Sequence, residues 1–424
     1  MLTWSKKPSM TKTLPTEPQT PQKVSTRFLR DAFAQSPIDA IPFVNTLLRE
    51  SASLQASDLL IEPMKAVVRI RAKIDGVFYE LGEITHDDYP EVSSRIKILA
   101  KLDPTEKRKI QEGQLSLDIE GRAVNLRVEI AQTVHGEVIV IRIHEKRTII
   151  MELSELGFNA QAYQNYQEML NARSGLILVC GPTGCGKTTT LYSTISKINL
   201  NQNYNIMTIE DPVEFQLPGV NQMQTNAEAG FSFAEGLRTI VRLSPDIILV
   251  GEIRDKETAE IAVESGLTGQ LVLSTIHAGD AVGALFRLLD LGIETYLLNS
   301  SILGIVAQRL VRRVCPECNA EYQASPQELD LFQKILGRPP KKLVKGKGCL
   351  SCQDLGYQGR TGIYEVLTMT ARMRDLIRAK ANEDILRDTL QKEGFISLFR
   401  DGLEKCEQGI TTPEEVLRNS IRKT

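Results

Sequence analysis

The chain has 424 residues, of which 42% are hydrophobic, 25% charged and 5% aromatic, with 29 glycines and 18 prolines. At roughly 150 residues per domain this length holds two to four domains, and the composition excludes collagenous, low-complexity and wholly disordered chains. Fifty-one Lys and Arg against fifty-three Asp and Glu give a net charge of −2, so no global positive field marks a nucleic-acid binder.

No apolar run approaches the roughly 18–20 residues of a membrane span, and the first residues lack the apolar core of a signal peptide, so a cytoplasmic chain is expected. Residues 1–30 carry Pro8, Pro15, Pro18 and Pro21, six Lys or Arg and one Glu, with no apolar periodicity. This reads as a flexible basic tail, solvated or bound to an anionic surface or partner. Residues 31–148 read as an α+β domain. Ile41, Val44, Leu47 and Leu48 recur at helical spacing, and AVVRIRAKIDGVFYEL alternates like two strands around an Asp75-Gly76 turn. QLSLDIEGRAVNLRVEIA and EVIVIRI add further strands. Across 149–312, short runs at 176–180, 206–209, 247–250 and 271–273, apolar but for Thr208, alternate with helical stretches. Such runs suit a parallel sheet buried on both faces, hence an α/β core. A tetracysteine segment, 313–358, and a helical C-terminal region, 359–424, complete the expected organisation.

GLILVCGPTGCGKTTTLYSTI is a buried strand, then G-x-x-x-x-G-K-T, then a helix-forming run. Gly181, Gly184 and Gly186 let the backbone curl so that its N–H groups converge on phosphate oxygens. Lys187 would neutralise the β- and γ-phosphates and the Thr188 hydroxyl would ligand Mg²⁺, with the helix N-terminus adding partial positive charge. DIILVGEIRD has Gly251 where many P-loop enzymes carry an Asp, so Glu252 must serve water or metal without that neighbour. IMTIEDPVEF offers Glu210 and Asp211 after another apolar strand, and in one parallel sheet these carboxyl ends converge on the phosphate-loop edge. Glu210 then supplies the missing acidic function, or with Asp211 and Glu214 it caps a turn before Pro212. TGQLVLSTIHAGDA ends a third strand at His277, which senses the γ-phosphate, positions a water or is structural.

Four of the seven cysteines form Cys315-Pro-Glu-Cys318 and Cys349-Leu-Ser-Cys352, separated by thirty residues. Four thiolates in two knuckles fit tetrahedral Zn²⁺, and a closed four-sulfur shell leaves no place for a catalytic water, so the metal would be structural. Two disulfides are the alternative. The segment between the pairs is helix-like and then basic. Its Lys341, Lys342, Lys345 and Lys347 read as a solvated loop, a docking surface or a phosphate-contacting patch. Cys180, Cys185 and Cys406 lie outside the cluster. Cys185 lies in the phosphate loop, where the helix N-terminus favours a thiolate and reaction with alkylating reagents; the alternative is a small, inert residue.

GPTGCGKTTTLY, TIEDPVEFQ, SPDIILVGEIRD and TGQLVLSTIHAGDA follow one another as in the secretion ATPase superfamily. From about residue 38 to 420 the chain closely resembles its type II secretion and type IV pilus assembly motors. RIKILAKLD, AQRLV, GRTGIYEVL and GITTPEEVLR also look like that family. The resemblance implies a PAS-like α+β N-terminal domain, then a RecA-like P-loop ATPase domain with a zinc-knuckle insertion and a helical C-terminus. It implies a homo-hexameric ring using ATP, Mg²⁺ and Zn²⁺. Lys187, Thr188 and Thr189 would bind phosphate and Mg²⁺, Glu252 would activate the attacking water, Glu210 would assist the metal and His277 would be the retained sensor. Arg127 and Arg142 match family arginines that reach the γ-phosphate from the N-terminal domain; the alternative is two exposed arginines in a solvated ladder. ATP would hold the two domains together through those arginines, and hydrolysis would release them.

The work implied is pilin or pseudopilin assembly, or type II secretion, through an inner-membrane platform protein, with the ring peripheral on that membrane and no nucleic acid bound. Alternatives are a retraction or DNA-uptake motor of the same superfamily, and a nucleotide-binding scaffold without hydrolysis. Retraction motors generally lack the cysteine knuckles, so the likeness leans to the assembly branch. The chain departs from the family pattern at Leu60, where His is usual, at Gln270, in place of the first histidine of its box, and at RLSPD, in place of a more acidic run. No large N-terminal docking domain is expected.

Overall fold

The computed structural model describes residue 24 and residues 26–119, 122–145, 150–200 and 203–420. Of the segment read as a tail, residues 1–23 and 25 lie outside the described residues. Val24 is buried and its N–H donates to the Glu80 carbonyl. The chain divides into two compact units, residues 1–146 and 147–424.

In the first unit Thr26 caps α1 (Arg27–Phe33) and Asp39 caps α2 (Ala40–Ser53), each accepting a backbone N–H of the first turn. The buried stripe of α2 is Phe43, Val44, Leu47 and Leu48. Ile41, expected on that stripe, is exposed at its edge in the first turn. Strands β1 (Ala56–Pro63), β2 (Val68–Ile74) and β3 (Val77–Ile84) form a meander. Its second turn falls at Asp75-Gly76, as the alternation predicts, with both residues at positive φ. Helix α3 (Tyr89–Leu99) leads to β4 (Gln111–Ile119), β5 (Arg122–Thr133) and β6 (Gly136–Glu145). The six strands make one antiparallel sheet in the order β3-β2-β1-β6-β5-β4. Lys97 of α3 is fully buried and donates to Glu137 Oε1 at 2.6 Å and to the Glu106 carbonyl at 2.7 Å. That buried pair fastens the loop before β4 to the start of β6.

The second unit is a doubly wound sheet. After α4 (Ala160–Leu170) come β7 (Gly175–Cys180), α5 (Lys187–Asn199), β8 (Ile206–Glu210), β9 (Asn221–Gln224), α6 (Phe233–Val241) and β10 (Ile247–Val250). Then follow α7 (Lys256–Leu267), β11 (Leu271–Ile276), α8 (Ala281–Asp290), α9 (Thr295–Ser301) and β12 (Ile302–Val314). The sheet order is β12-β7-β11-β10-β8-β9, all parallel. Alternate residues of each strand enter opposite cores: Leu176, Leu178 and Cys180 join helices α6 to α8, whereas Ile177 and Val179 join α4 and α5. This two-sided burial is why β7, β8, β10 and β11 read as largely apolar runs.

Beyond β12 the chain forms β13 (Asn319–Tyr322), α10 (Pro326–Leu336) and β14 (Leu343–Gly346), the two strands pairing in a small antiparallel ribbon. It returns through β15 (Tyr357–Thr368), antiparallel to β12 at the sheet's edge. Helices α11 (Ala371–Arg378), α12 (Glu383–Lys392), α13 (Leu398–Glu407) and α14 (Pro413–Ser420) finish the unit. Among the described residues no helix is long and apolar enough to cross a membrane.

Candidate nucleotide site and cysteine cluster

Parallel strands bring their carboxyl ends to one edge, and there the sequence motifs meet. The loop from Gly181 to Gly186 joins β7 to α5, with Gly181, Gly184 and Gly186 at φ of 153°, 77° and 91°. Gly186 caps α5, so the helix begins at Lys187 with its N-terminus toward the loop. Lys187 Nζ donates to the carbonyls of Gly181 and Pro182 at 3.0 and 3.1 Å, which folds the ammonium over the loop's concave side. Thr188 and Thr189 are exposed in the first turn of α5.

Glu252 follows β10 and is mostly sheltered, its side chain 15% exposed. Its Oε2 lies 3.3 Å from His277 Nε2, and Arg254 clasps its other oxygen. Arg254 also reaches within 3.8 Å of Asp211, and its guanidinium is held above its ordinary value first by the hydrogen bond to Glu252. His277 itself is exposed at the end of β11. The two strand ends are braced together, since Thr275 Oγ1 donates to the Gly251 carbonyl at 2.8 Å and Ile253 N–H to the Thr275 carbonyl at 2.9 Å.

Glu210 is buried at the end of β8, accepting from the Tyr192 hydroxyl, from Thr208 Oγ1 at 2.6 Å and from Gln222 Nε2 at 3.1 Å. Burial, then the bond to Glu210, pushes the Tyr192 phenol upward, so it stays a donor. Gly251 has a steric reason. A Cβ there would lie 3.3 Å from Glu210 Cα and 3.3 Å from the Ile209 carbonyl oxygen, so an Asp at 251 would press on the strand that carries Glu210.

The surroundings of Cys185 bear on its two readings. Its thiol is buried against the loop, and that burial pushes it above its ordinary value despite the opposing pull of Lys187 and Arg309. Desolvation opposes the thiolate that the helix N-terminus favours, which supports the inert reading.

In the first unit Arg127 of β5 and Arg142 of β6 stand directly opposite each other. Arg127 pairs with Glu112 at 2.8 Å and Glu129 at 3.4 Å, and Arg142 with Asp58 at 3.4 Å; their side chains are 44% and 52% exposed.

The four sulfurs of Cys315, Cys318, Cys349 and Cys352 lie within 4.8 Å of one another. Three separations are 3.9 Å (315 to 349), 3.7 Å (318 to 352) and 3.7 Å (349 to 352). A tetrahedron with Zn–S bonds of about 2.3 Å has edges of about 3.8 Å, so the donor set fits zinc. A disulfide needs sulfurs about 2.05 Å apart, and all seven cysteines are free. The N–H groups of Cys349 and Gly356 donate to Cys352 Sγ at 3.3 and 3.2 Å, which supports a thiolate. Among the basic residues between the pairs, Lys342 pairs with Glu321 at 2.6 Å and Lys345 lies over the Tyr322 ring.

Sequence reasoning left Arg254, Tyr192, Thr208 and Gln222 without roles. Arg254 had a signal, standing two residues after the acidic residue it clasps; the partners of Glu210 come from three different elements and had none.

The sequence model of the family described as Type II/IV secretion system protein matches residues 34–418. The type II secretion system ATPase E of Vibrio cholerae is 43% identical over 378 residues, covering 89% of this chain and 75% of that protein. The type II secretion system protein E of Pseudomonas aeruginosa is likewise 43% identical over 378 residues, with the same 89% and 75% coverage. Among solved structures, the ATPase DotB of Yersinia pseudotuberculosis aligns with a TM-score of 0.64 at 22% identity, over 89% of this chain and 92% of that one. The pilus retraction motor PilT with bound ADP aligns with a TM-score of 0.55 at 24% identity, over 88% and 95%. At these identities the structures speak to the fold alone.

Proposed function

This chain belongs to the type II/IV secretion system protein family, and from that premise we propose how its residues divide the work of a secretion ATPase. It hydrolyses ATP to ADP and phosphate and couples that to secretion. The observation that carries the assignment of parts is the meeting of the Lys187 loop and the Glu252 strand end at one edge of a parallel sheet.

Backbone N–H groups of the loop through Gly181, Gly184 and Gly186 bind the phosphates, joined by Lys187 when its ammonium leaves the Gly181 and Pro182 carbonyls. Thr188 and Thr189 lie where hydroxyls can meet Mg²⁺ and the phosphates. Thr188 would hold Mg²⁺, with Glu210 assisting, and the bound ion would neutralise phosphate charge. Glu210 keeps its carboxylate aimed through Tyr192, Thr208 and Gln222. Glu252 accepts a proton from the water that attacks the γ-phosphorus, while the bond to the bridging oxygen breaks and ADP leaves. Arg254 and His277, both on the Glu252 carboxylate, fix its direction. A carboxylate so placed supports hydrolysis over a non-hydrolysing scaffold.

Arg127 and Arg142 supply positive charge to the γ-phosphate from the first unit, leaving their acidic partners when nucleotide is bound. The six-stranded antiparallel sheet of that unit suits the PAS-like reading, and the P-loop sheet the RecA-like one. The cysteine cluster holds Zn²⁺ as a structural staple, supported by its sulfur spacing. The chain acts as a homo-hexamer on an inner-membrane platform protein, in the cytoplasm and peripheral to the membrane. The relatives named for type II secretion and the cysteine cluster favour assembly or secretion over retraction. Phosphate release by the purified chain with Mg²⁺ and ATP tests the reading. The wild type turns over and Lys187→Ala does not; equal rates from both would overturn it.

A further inference from the structure

AQRLV, residues 307–311, is one of the segments through which the sequence resembles its family, yet nothing in the hydrolytic scheme uses it. In the fold it is the middle of β12, and it forms the wall on which the phosphate loop is built. Ala307 is in register with Cys180, the last residue of β7, so Gln308 follows where β7 gives way to the loop. Gln308 is 1% exposed. Its Nε2 donates to the Cys185 carbonyl at 2.7 Å, and its Oε1 accepts from the Thr190 hydroxyl at 2.8 Å. One buried amide therefore ties the loop just before Gly186 to the first turn of α5 just after Lys187.

The approach is close. A Cβ on Gly181 would stand 2.7 Å from the Gln308 carbonyl oxygen and 2.5 Å from Cys185 Sγ, so the loop lies flat on this strand only because residue 181 has no side chain. The next residue fastens the neighbouring loop: Arg309 donates to the Gly279 carbonyl, two residues after His277.

We propose that Gln308 is a positioning residue for nucleotide binding, fixing the peptide between Cys185 and Gly186. In a trans peptide the C=O and N–H point in opposite directions. Holding the Cys185 carbonyl against β12 therefore turns the Gly186 N–H away from β12, toward the side where a phosphate is received. The bond to Thr190 sets that peptide's orientation relative to α5 and Lys187. Because the loop grips phosphate in both ground and transition states, losing Gln308 weakens binding more than it slows chemistry. This rests on the ATPase reading above.

The test uses the full chain with Gln308→Met, which keeps the side-chain length and removes both bonds, and Gln308→Glu, which sets an oxygen against the Cys185 carbonyl. Binding of a fluorescent ADP with Mg²⁺ is measured beside KM and kcat for ATP. Both variants should bind ADP roughly tenfold more weakly and raise KM to match, the scale of one buried hydrogen-bonding group left unmatched, with kcat changed by less than about threefold. Thr190→Ser, which keeps the hydroxyl, should retain affinity, whereas Thr190→Val should lose part of it. Wild-type affinity in Gln308→Met, or a fall in kcat at constant KM, overturns the proposal. If Gln308→Met does not fold, Thr190→Val decides, and unchanged affinity there overturns it. A wild type that binds no nucleotide, or binds it no better than Lys187→Ala, would instead sink the ATPase reading itself.

Discussion

Removing the metal from the cysteine cluster has a cost that follows from chain topology. Cys318 and Cys349 bracket thirty residues, so a shared metal closes a loop of roughly 32 residues. The chain-entropy relation for a cross-link of that length gives about 4 kcal/mol of constraint on the unfolded chain at 25 °C. For a unit of this size, each kcal/mol moves the melting temperature by about 2–4 °C, so full loss of the metal should lower it by about 10 °C. The drop should be felt inside the sheet, because Val314 ends β12 immediately before Cys315 and β15 begins at Tyr357, five residues after Cys352. Cys315 N–H, moreover, donates to the Gly356 carbonyl at 3.0 Å. The assay is metal analysis of the purified chain with calorimetry before and after chelation, and with Cys349→Ser. One zinc per chain and a melting point that falls on chelation are expected. A metal-free chain that melts at the same temperature with and without chelator, or cysteine pairs found oxidised by mass spectrometry, would refute the reasoning.

Three further outcomes follow from the geometry. Arg127→Ala combined with Arg142→Ala should lower turnover by about 10³-fold, the lower end of what an arginine finger contributes; wild-type turnover in the double variant removes the finger role. Burial holds the Cys185 thiol above its ordinary value, so iodoacetamide at neutral pH should label it far more slowly than a free thiol, read by peptide mass spectrometry; labelling as fast as glutathione contradicts its burial. Arg338, hydrogen-bonded to Glu407, holds that carboxyl below its ordinary value. The stabilisation this brings is complete above the ordinary carboxylate range near about 4.3 and is lost as pH falls through the lowered folded value. Melting temperature followed from pH 6 toward 3 should therefore fall less steeply in Arg338→Ala than in wild type, and identical slopes would count against the pairing.

The parallel core was legible because burial on both faces leaves no polar alternation, so 176–180, 206–209, 247–250 and 271–273 stood out in the sequence and became β7, β8, β10 and β11. Two neighbours in the same sheet were not. β9, with the sequence NQMQ, is a polar edge strand, and β12 carries Gln308 and Arg309 in mid-strand, where buried hydrogen bonding replaces apolar contact. The order of the acidic strands and the histidine along the chain was enough to gather Glu210, Glu252 and His277 at one sheet edge. What they touch was not, because Glu210 is held by α5 and β9, and Glu252 by Arg254 and the end of β11. The two readings of Cys185 stayed open in the sequence for the same reason: a helix N-terminus is visible there, whereas the burial that opposes it comes from the fold.

The central claim is that Glu252 takes the proton from the attacking water. Glu252→Gln keeps the shape of the side chain and removes the base. Steady-state phosphate release, measured beside fluorescent-nucleotide binding on the same preparation, tests it. The account predicts nucleotide affinity close to wild type and a turnover lower by roughly 10²–10⁴-fold, the contribution of a positioned general base. Turnover at the wild-type rate in Glu252→Gln would contradict it.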